Sequence, residues 1–451
     1  MPDTVFRDVE VDGQTVDVHV RDATVVAVGD VTPVPGAEVV EGHGGALLPG
    51  LHDHHLHLLA MAAAASSVDC GVHAGDPGGL AAALRSAPGT WVRAVGYHER
   101  TTGRLDREVL DAWVPDRPVR VQHRSGALWM LNSPALALVD HVLDHSPDVE
   151  RDAAGRPTGR LWRYDTRLRP ALPHSTPDLA PVGRTLLSYG ITGITDATPD
   201  LDADAAALIA DGALPQQLLL LGVPDVLPLP PRLRSGPYKL HLRDHDLPPL
   251  GELTEKIAAL HSRGRAVAVH CVTAESLLLT VAALRAAGPL PGDRIEHASV
   301  VLPGVAADMA RLGVAVVTQP GFVYERGDDY LATVEPGELP YLYPYRSLLD
   351  SGLRVAPSSD GPHASCDPWR AIAAADRITV GGSVLGPAER VGRARVLAGY
   401  LSSAEDPGGA VRRVCPGTRA DLCLLHVPLR EALAAAPANP VRLTMTAGCC
   451  T

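Results

Sequence analysis

Along the chain, short runs of alternating apolar and polar residues occupy both ends, and strand-length apolar blocks separated by alanine-rich helical stretches fill the middle. From Val5 to Val40 the runs VEVDG, TVDVHV and ATVVAVG are punctuated by Gly, Asp and Pro, a period-two pattern that predicts a small antiparallel unit. The final stretch, from about Gly408 to Thr451, reads the same way. Residues 1–48 and 408–451 are therefore expected to build one composite β-sandwich domain. Between them, over 49–407, lie eight strand-like blocks: GGALLPGLHDHHLHL, then 191–199, 216–225, 237–242, 265–273, 293–301, 313–322 and 353–362. Most gaps have the length of a βα unit, so the expected fold class is α/β, with parallel strands in a (β/α)8 TIM-like barrel. The gap between His57 and Ile191 is far too long for one helix. Its own strand-like runs, WVRAVGY and VRVQHRSGALWML, predict an inserted α+β subdomain over 68–165, after barrel strand 1.

Composition narrows the function. The 451 residues are 46% hydrophobic and 20% charged, enough to bury a large core. A net charge of −12 without any basic run excludes a duplex-binding face and points to a small-molecule substrate rather than nucleic acid. No apolar stretch is long enough to cross a bilayer, and the N-terminus lacks the basic start and apolar segment of a signal peptide, so a cytoplasmic location is expected. Seven cysteines, an odd number spread along the chain, fit reduced thiols. Of 40 basic residues only Lys239 and Lys256 are lysines.

The strongest local signal is PGLHDHHLHL, with histidines at 52, 54, 55 and 57. A His-x-His pair on a strand presents both rings to one face, where neutral imidazoles can grip a divalent metal. Chance alone supplies about one such pair in a chain with this much histidine. The signal gains weight because Lys239, His270, His297 and Asp360 each fall at or near the end of an expected strand. In a (β/α)8 barrel those ends converge on one rim. Strand alternation turns His52 and His54 away from His55 and His57.

The order His-x-His, Lys, His, His, Asp on those strands resembles the metal-dependent amidohydrolase superfamily. The segments WVRAVGYHE, HRSGALWMLNS, GRPTGRLWR, RIEHASV, TQPGF and SDGPHASCDPW are similar to its branch containing N-substituted-formamide deformylases (amidohydrolase family 3). The resemblance implies that His55, His57 and Asp360 bind the more buried of two metals, most simply zinc, and that His270 and His297 hold the second. It further implies that Lys239 is carboxylated by carbon dioxide and bridges them. A partly desolvated lysine has the depressed pKa that carbamate formation needs, and a guanidinium could not take its place. Two adjacent divalent cations lower the pKa of a bridging water towards neutrality. Asp360 is then the catalytic group that accepts the water's proton and returns it to the leaving nitrogen.

The implied activity is hydrolysis of a C–N bond in an amide, formamide or cyclic amide. Two alternatives remain open from the sequence: a mononuclear deaminase, decarboxylase or isomerase on the same scaffold, and a non-catalytic binding protein. Tyr324 and Arg326, just after strand 7, are candidates to contact the substrate, with Asp328 or Asp329 as the competing partner of Arg326. The inserted segment is a candidate cover for the site through His123, Trp129 or Trp162, with core packing favoured for both tryptophans. The superfamily resemblance also suggests a homodimer.

Overall fold

The computed structural model describes residues 3–32, 35–173, 177–225 and 227–450. Met1, Pro2, Pro33, Val34 and Thr451, which belong to the segments expected to form the sandwich, lie outside them. The chain divides into two compact units, Met1–Leu58 with Leu179–Thr451, and Leu59–Asp178.

In the first unit, all eight expected blocks contain a strand of a parallel sheet. They are β1 (Leu51–Leu56), β2 (Ile191–Asp196), β3 (Gln217–Leu220), β4 (Tyr238–Leu240), β5 (Val267–Cys271), β6 (Arg294–His297), β7 (Ala315–Thr318) and β8 (Arg354–Pro357). Every residue of β1 and β2 is buried, as strands covered on both faces require. One sheet holds β1, β2 and β3 side by side and the other runs in order from β4 to β8. Backbone bonds join their edges: Gly236 N–H to the Leu220 carbonyl and Lys239 N–H to that of Leu221, then Asp360 N–H to His55 and His57 N–H to Gly361.

Helices follow most strands, for example Leu250–His261 after β4 and Ala274–Ala287 after β5. The second of these starts with a capping box in which Thr273 and Ser276 satisfy each other's backbone N–H groups. Between β3 and β4 the described residues form no helix; a short strand, Leu233–Ser235, pairs with β3 instead. Prolines at 224, 228, 230, 231 and 237 explain the difference, because each lacks the N–H that a helix interior needs.

The chain ends form two four-stranded sheets. One contains Thr24–Gly29, Gln14–Arg21, Thr4–Val11 and Glu38–Glu41; the other contains Cys449–Cys450, Val441–Thr446, Leu422–Leu425 and Leu47–Pro49. Phe6, Val18, Leu47, Leu422 and Met445 from both sheets share one apolar core. The first sheet departs from the all-antiparallel expectation: Glu38–Glu41 crosses to its far edge and pairs parallel with Thr4–Val11. Gly408 fixes the C-terminal segment against β8. It has φ +74°, and a Cβ there would meet Val355 backbone atoms at 2.3–2.7 Å.

The second unit is a mixed six-stranded sheet in the order Val149–Arg151, Pro157–Trp162, Leu128–Leu131, Val119–His123, Val92–Tyr97 and Val68–Asp69. Trp129 sits in one of its apolar clusters, its indole N–H donating to Asp165 at 2.7 Å, and Trp162 packs against another. Both tryptophans thus serve this unit's core. All seven cysteines are free thiols. Among the described residues no helix is long and apolar enough to cross a membrane.

Candidate metal centre

The C-terminal ends of β1, β4, β5, β6 and β8 bring six side chains together. His57 Nε2 lies 3.2 Å and His55 Nε2 3.4 Å from Asp360 Oδ1. Lys239 Nζ is 3.4 Å from His55 Nε2. The His297 ring stands 4.8 Å from that of His55 and 4.4 Å from that of His270, centroid to centroid. His55, Lys239, His297 and Asp360 are buried; His57 and His270 are half-buried.

Hydrogen bonds set the direction of each imidazole. His55 Nδ1 is bonded to Glu296, His57 Nδ1 to the Thr198 hydroxyl at 3.2 Å, and His297 Nδ1 to the Gln319 side-chain oxygen at 2.8 Å. With Nδ1–H as the donor in each, all three Nε2 lone pairs turn inward. This is the outer support that metal-bound histidines usually have. Glu296 is itself held by Arg294, whose guanidinium also donates to the His54 carbonyl at 2.7 Å.

Burial dominates the electrostatics. It lowers the His55 pKa well below 6.5, with the Lys239 charge adding to the effect, and does the same for His270 with help from His297. Burial pushes the Lys239 ammonium down to about 8 against the pull of Glu296 and Asp360. Burial alone would raise the Glu296 pKa, but Arg294 and His55 outweigh it and keep the carboxylate ionised. The site therefore offers neutral imidazoles, a carboxylate and an amine that loses its proton readily.

These donors fit divalent metal. Ligand atoms about 2.0–2.1 Å from a tetrahedral zinc stand about 3.3 Å from one another; Asp360 Oδ1 lies 3.2 and 3.4 Å from the two Nε2 atoms, and all three ligand atoms lie within 4.8 Å of one another. His297 Nε2 and Asp360 Oδ1 are buried without a hydrogen-bond partner, a condition that bound metal would relieve. His297 and Asp360 also adopt left-handed backbone, at φ +69° and +56°, strain of the kind that collects at functional sites.

His52 and His54 turn elsewhere, His52 Nε2 to the Thr195 hydroxyl at 2.8 Å and His54 Nε2 to the Gly399 carbonyl at 3.1 Å. Tyr324 and Arg326 lie on the helix Pro320–Thr333, where Arg326 donates to the His363 carbonyl and stacks over Phe322 at 4.4 Å. His123 pairs with Glu99 at 3.1 Å in the second unit.

Sequence reasoning missed several neighbours. His241 stands two residues beyond Lys239 with its ring 4.7 Å from that of His270, and the period of two on β4 could have found it. His363 lies 6.0 Å from His57, ring to ring. Asp53 is fully buried and accepts the N–H groups of His55 and Ser359, both at 3.2 Å. Glu296 and Gln319 act through side chains of other strands, and nothing in their local sequence marks them.

Comparison with known proteins gives the same direction. Residues 38–450 match the amidohydrolase family. The chain is 28% identical to the N-substituted formamide deformylase of Arthrobacter pascens, covering 87% of this chain and 85% of that one. Among solved structures it is similar to an uncharacterized metal-dependent hydrolase from Pyrococcus furiosus, with TM-score 0.74, 22% identity and coverage of 94% and 99%. It is also similar to N-isopropylammelide isopropylaminohydrolase from Burkholderia multivorans ATCC 17616, with TM-score 0.55, 17% identity and coverage of 100% and 98%. These likenesses give the first unit a TIM-like α/β barrel and set aside the non-catalytic alternative. The chain belongs to the amidohydrolase family and is a hydrolase of C–N bonds.

Proposed function

We propose that this enzyme hydrolyses an amide, formamide or cyclic amide at a binuclear metal centre. His55, His57 and Asp360 would hold one metal, His270 and His297 would hold the other, and Lys239, as a carbamate, would be a ligand to both. The observation that carries the reading is the convergence of these six side chains, with two buried donor atoms left unpartnered. Metal bound there, zinc in our reading, supplies an acidified water and a polarised carbonyl.

The chain's own groups do the rest. Lys239, readily deprotonated, adds its nitrogen to carbon dioxide; an N–C bond forms and a proton leaves. Glu296, Thr198 and Gln319 keep His55, His57 and His297 oriented. Asp360 accepts a proton from the attacking water and delivers it to the nitrogen as the C–N bond breaks, leaving an acid and an amine. Tyr324 and Arg326 contact the substrate's carbonyl or carboxylate from the helix after β7. Similarity to a formamide deformylase supports N-formyl compounds as the first class to try.

In the same reading the terminal segments 1–48 and 408–451 form a composite sandwich, supported by their shared apolar core, and the insertion expected over 68–165 is a discrete subdomain, supported by the wider compact unit Leu59–Asp178. The enzyme works in the cytoplasm, as a homodimer.

The test is metal analysis of protein purified without chelator, followed by assay against N-formyl, N-acyl and lactam panels. Two equivalents of divalent metal, loss of activity on chelation and recovery on adding metal back are expected. Metal-free protein whose activity ignores chelation would overturn the proposal.

A further inference from the structure

A cavity of about 330 Å³ opens beside the N-terminal ends of β1, β2 and β3, at the other end of these strands from the metal centre. Arg234, Arg412, Arg413 and Arg419 line it, with only Glu405 and Asp421 as acids. Three of the arginines have carboxylates in contact. Arg234 pairs with Glu405, Arg419 with Asp421 at 2.7 Å, and Arg413 with Asp12 at 3.4 Å.

Arg412 differs. Its Nε donates to the carbonyls of Leu401 and Ser402 at 3.1 and 3.3 Å, and its Nη2 to that of Gly50 at 2.6 Å. Its Nη1 has no hydrogen-bond partner among the described residues, yet is not sealed from solvent. Burial lowers the Arg412 pKa, and the charges of Asp421 and Glu405 act on it without contact. Three carbonyls therefore hold a half-buried guanidinium, with no carboxylate in contact, on the wall of an open cavity. Such a charge favours an anionic partner, and the guanidinium fork suits a planar carboxylate.

We infer that this cavity is a binding site for a small organic carboxylate, held by Arg412 through its open Nη1 edge and surrounded by Arg234, Arg413 and Arg419. The site is separate from the metal centre and does not depend on metal.

Calorimetric titration of the full-length enzyme with sodium acetate and sodium succinate, at constant ionic strength and with sodium chloride as control, tests it. Saturable carboxylate binding is expected, unchanged after chelation of the metal. Arg412→Gln should weaken it at least tenfold. Ser403→Glu, which places a carboxylate on the cavity wall, should abolish it without touching the guanidinium, and so covers the case in which Arg412→Gln fails to fold. Inorganic phosphate is the remaining arm, and stronger binding of phosphate than of either carboxylate would overturn the assigned ligand class. The site itself would be overturned by non-saturable heats, by binding lost with the metal, or by a Ser403→Glu variant that binds like the parent protein.

Discussion

At the scale of single residues, the cluster joins positions that the chain separates by as much as 305 residues, from His55 to Asp360. His55 and His57 were legible because a strand's period of two exposes the pair, and Lys239 because it falls at the end of an expected strand. The outer partners were not, since a Glu-to-His or Gln-to-His bond across strands leaves no spacing to read. On the proposed binuclear reading, Lys239→Ala is expected to halve the bound metal and to lower kcat by about 10²–10³, the usual effect of removing one electrostatic stabiliser; inductively coupled plasma analysis beside steady-state assays checks both. Glu296→Gln leaves the buried Arg294 charge without its partner and His55 without its anchor. A destabilisation of about 3–5 kcal/mol in urea and a metal affinity about 10–100-fold weaker in chelator competition are expected.

At the scale of elements, apolar blocks punctuated by Gly and Pro placed all eight parallel strands, because such strands are buried on both faces and read as continuous hydrophobic runs. The missing helix between β3 and β4 was written in its five prolines, but a repeating βα pattern masks one defective repeat. The parallel pairing of Glu38–Glu41 could not be read, since strand order depends on the path of the connection. At Gly408 the backbone of a C-terminal strand closely approaches barrel strand β8. Gly408→Ala should destabilise by about 1–2 kcal/mol for the left-handed backbone and a further 1–3 for the collision with Val355, seen as a lowered Tm with metal content per folded molecule unchanged.

At the scale of the whole molecule, buried histidines couple folding to pH. Burial depresses the pKa of His52, His54, His55 and His297 below 6.5, that of His54 to about 3. Above pH 6.5 these rings are neutral folded and unfolded, and stability is unaffected. Below it the unfolded chain gains protons that the fold refuses, so each ring costs about 1.4 kcal/mol per pH unit. Burial depresses His123, His241, His270 and His363 in the same way, whereas the carboxylates it raises, Asp53 to about 6 together with Asp165, Glu325 and Asp367, work in the opposite sense, four groups against eight. The urea midpoint of metal-free protein should therefore fall steadily from about pH 6.5 to about pH 5. A flat profile would mean that these rings take up protons without unfolding.

The two lysines fall on opposite sides of the solvent boundary. Lys239 is 3% exposed within the candidate metal centre, whereas Lys256 stands in the open on the helix Leu250–His261. For reagents that attack side-chain amines, the folded molecule thus presents a single handle. Among the side chains, a support activated towards such amines would couple through that helix, and no coupling need touch the lysine on which the proposed chemistry depends.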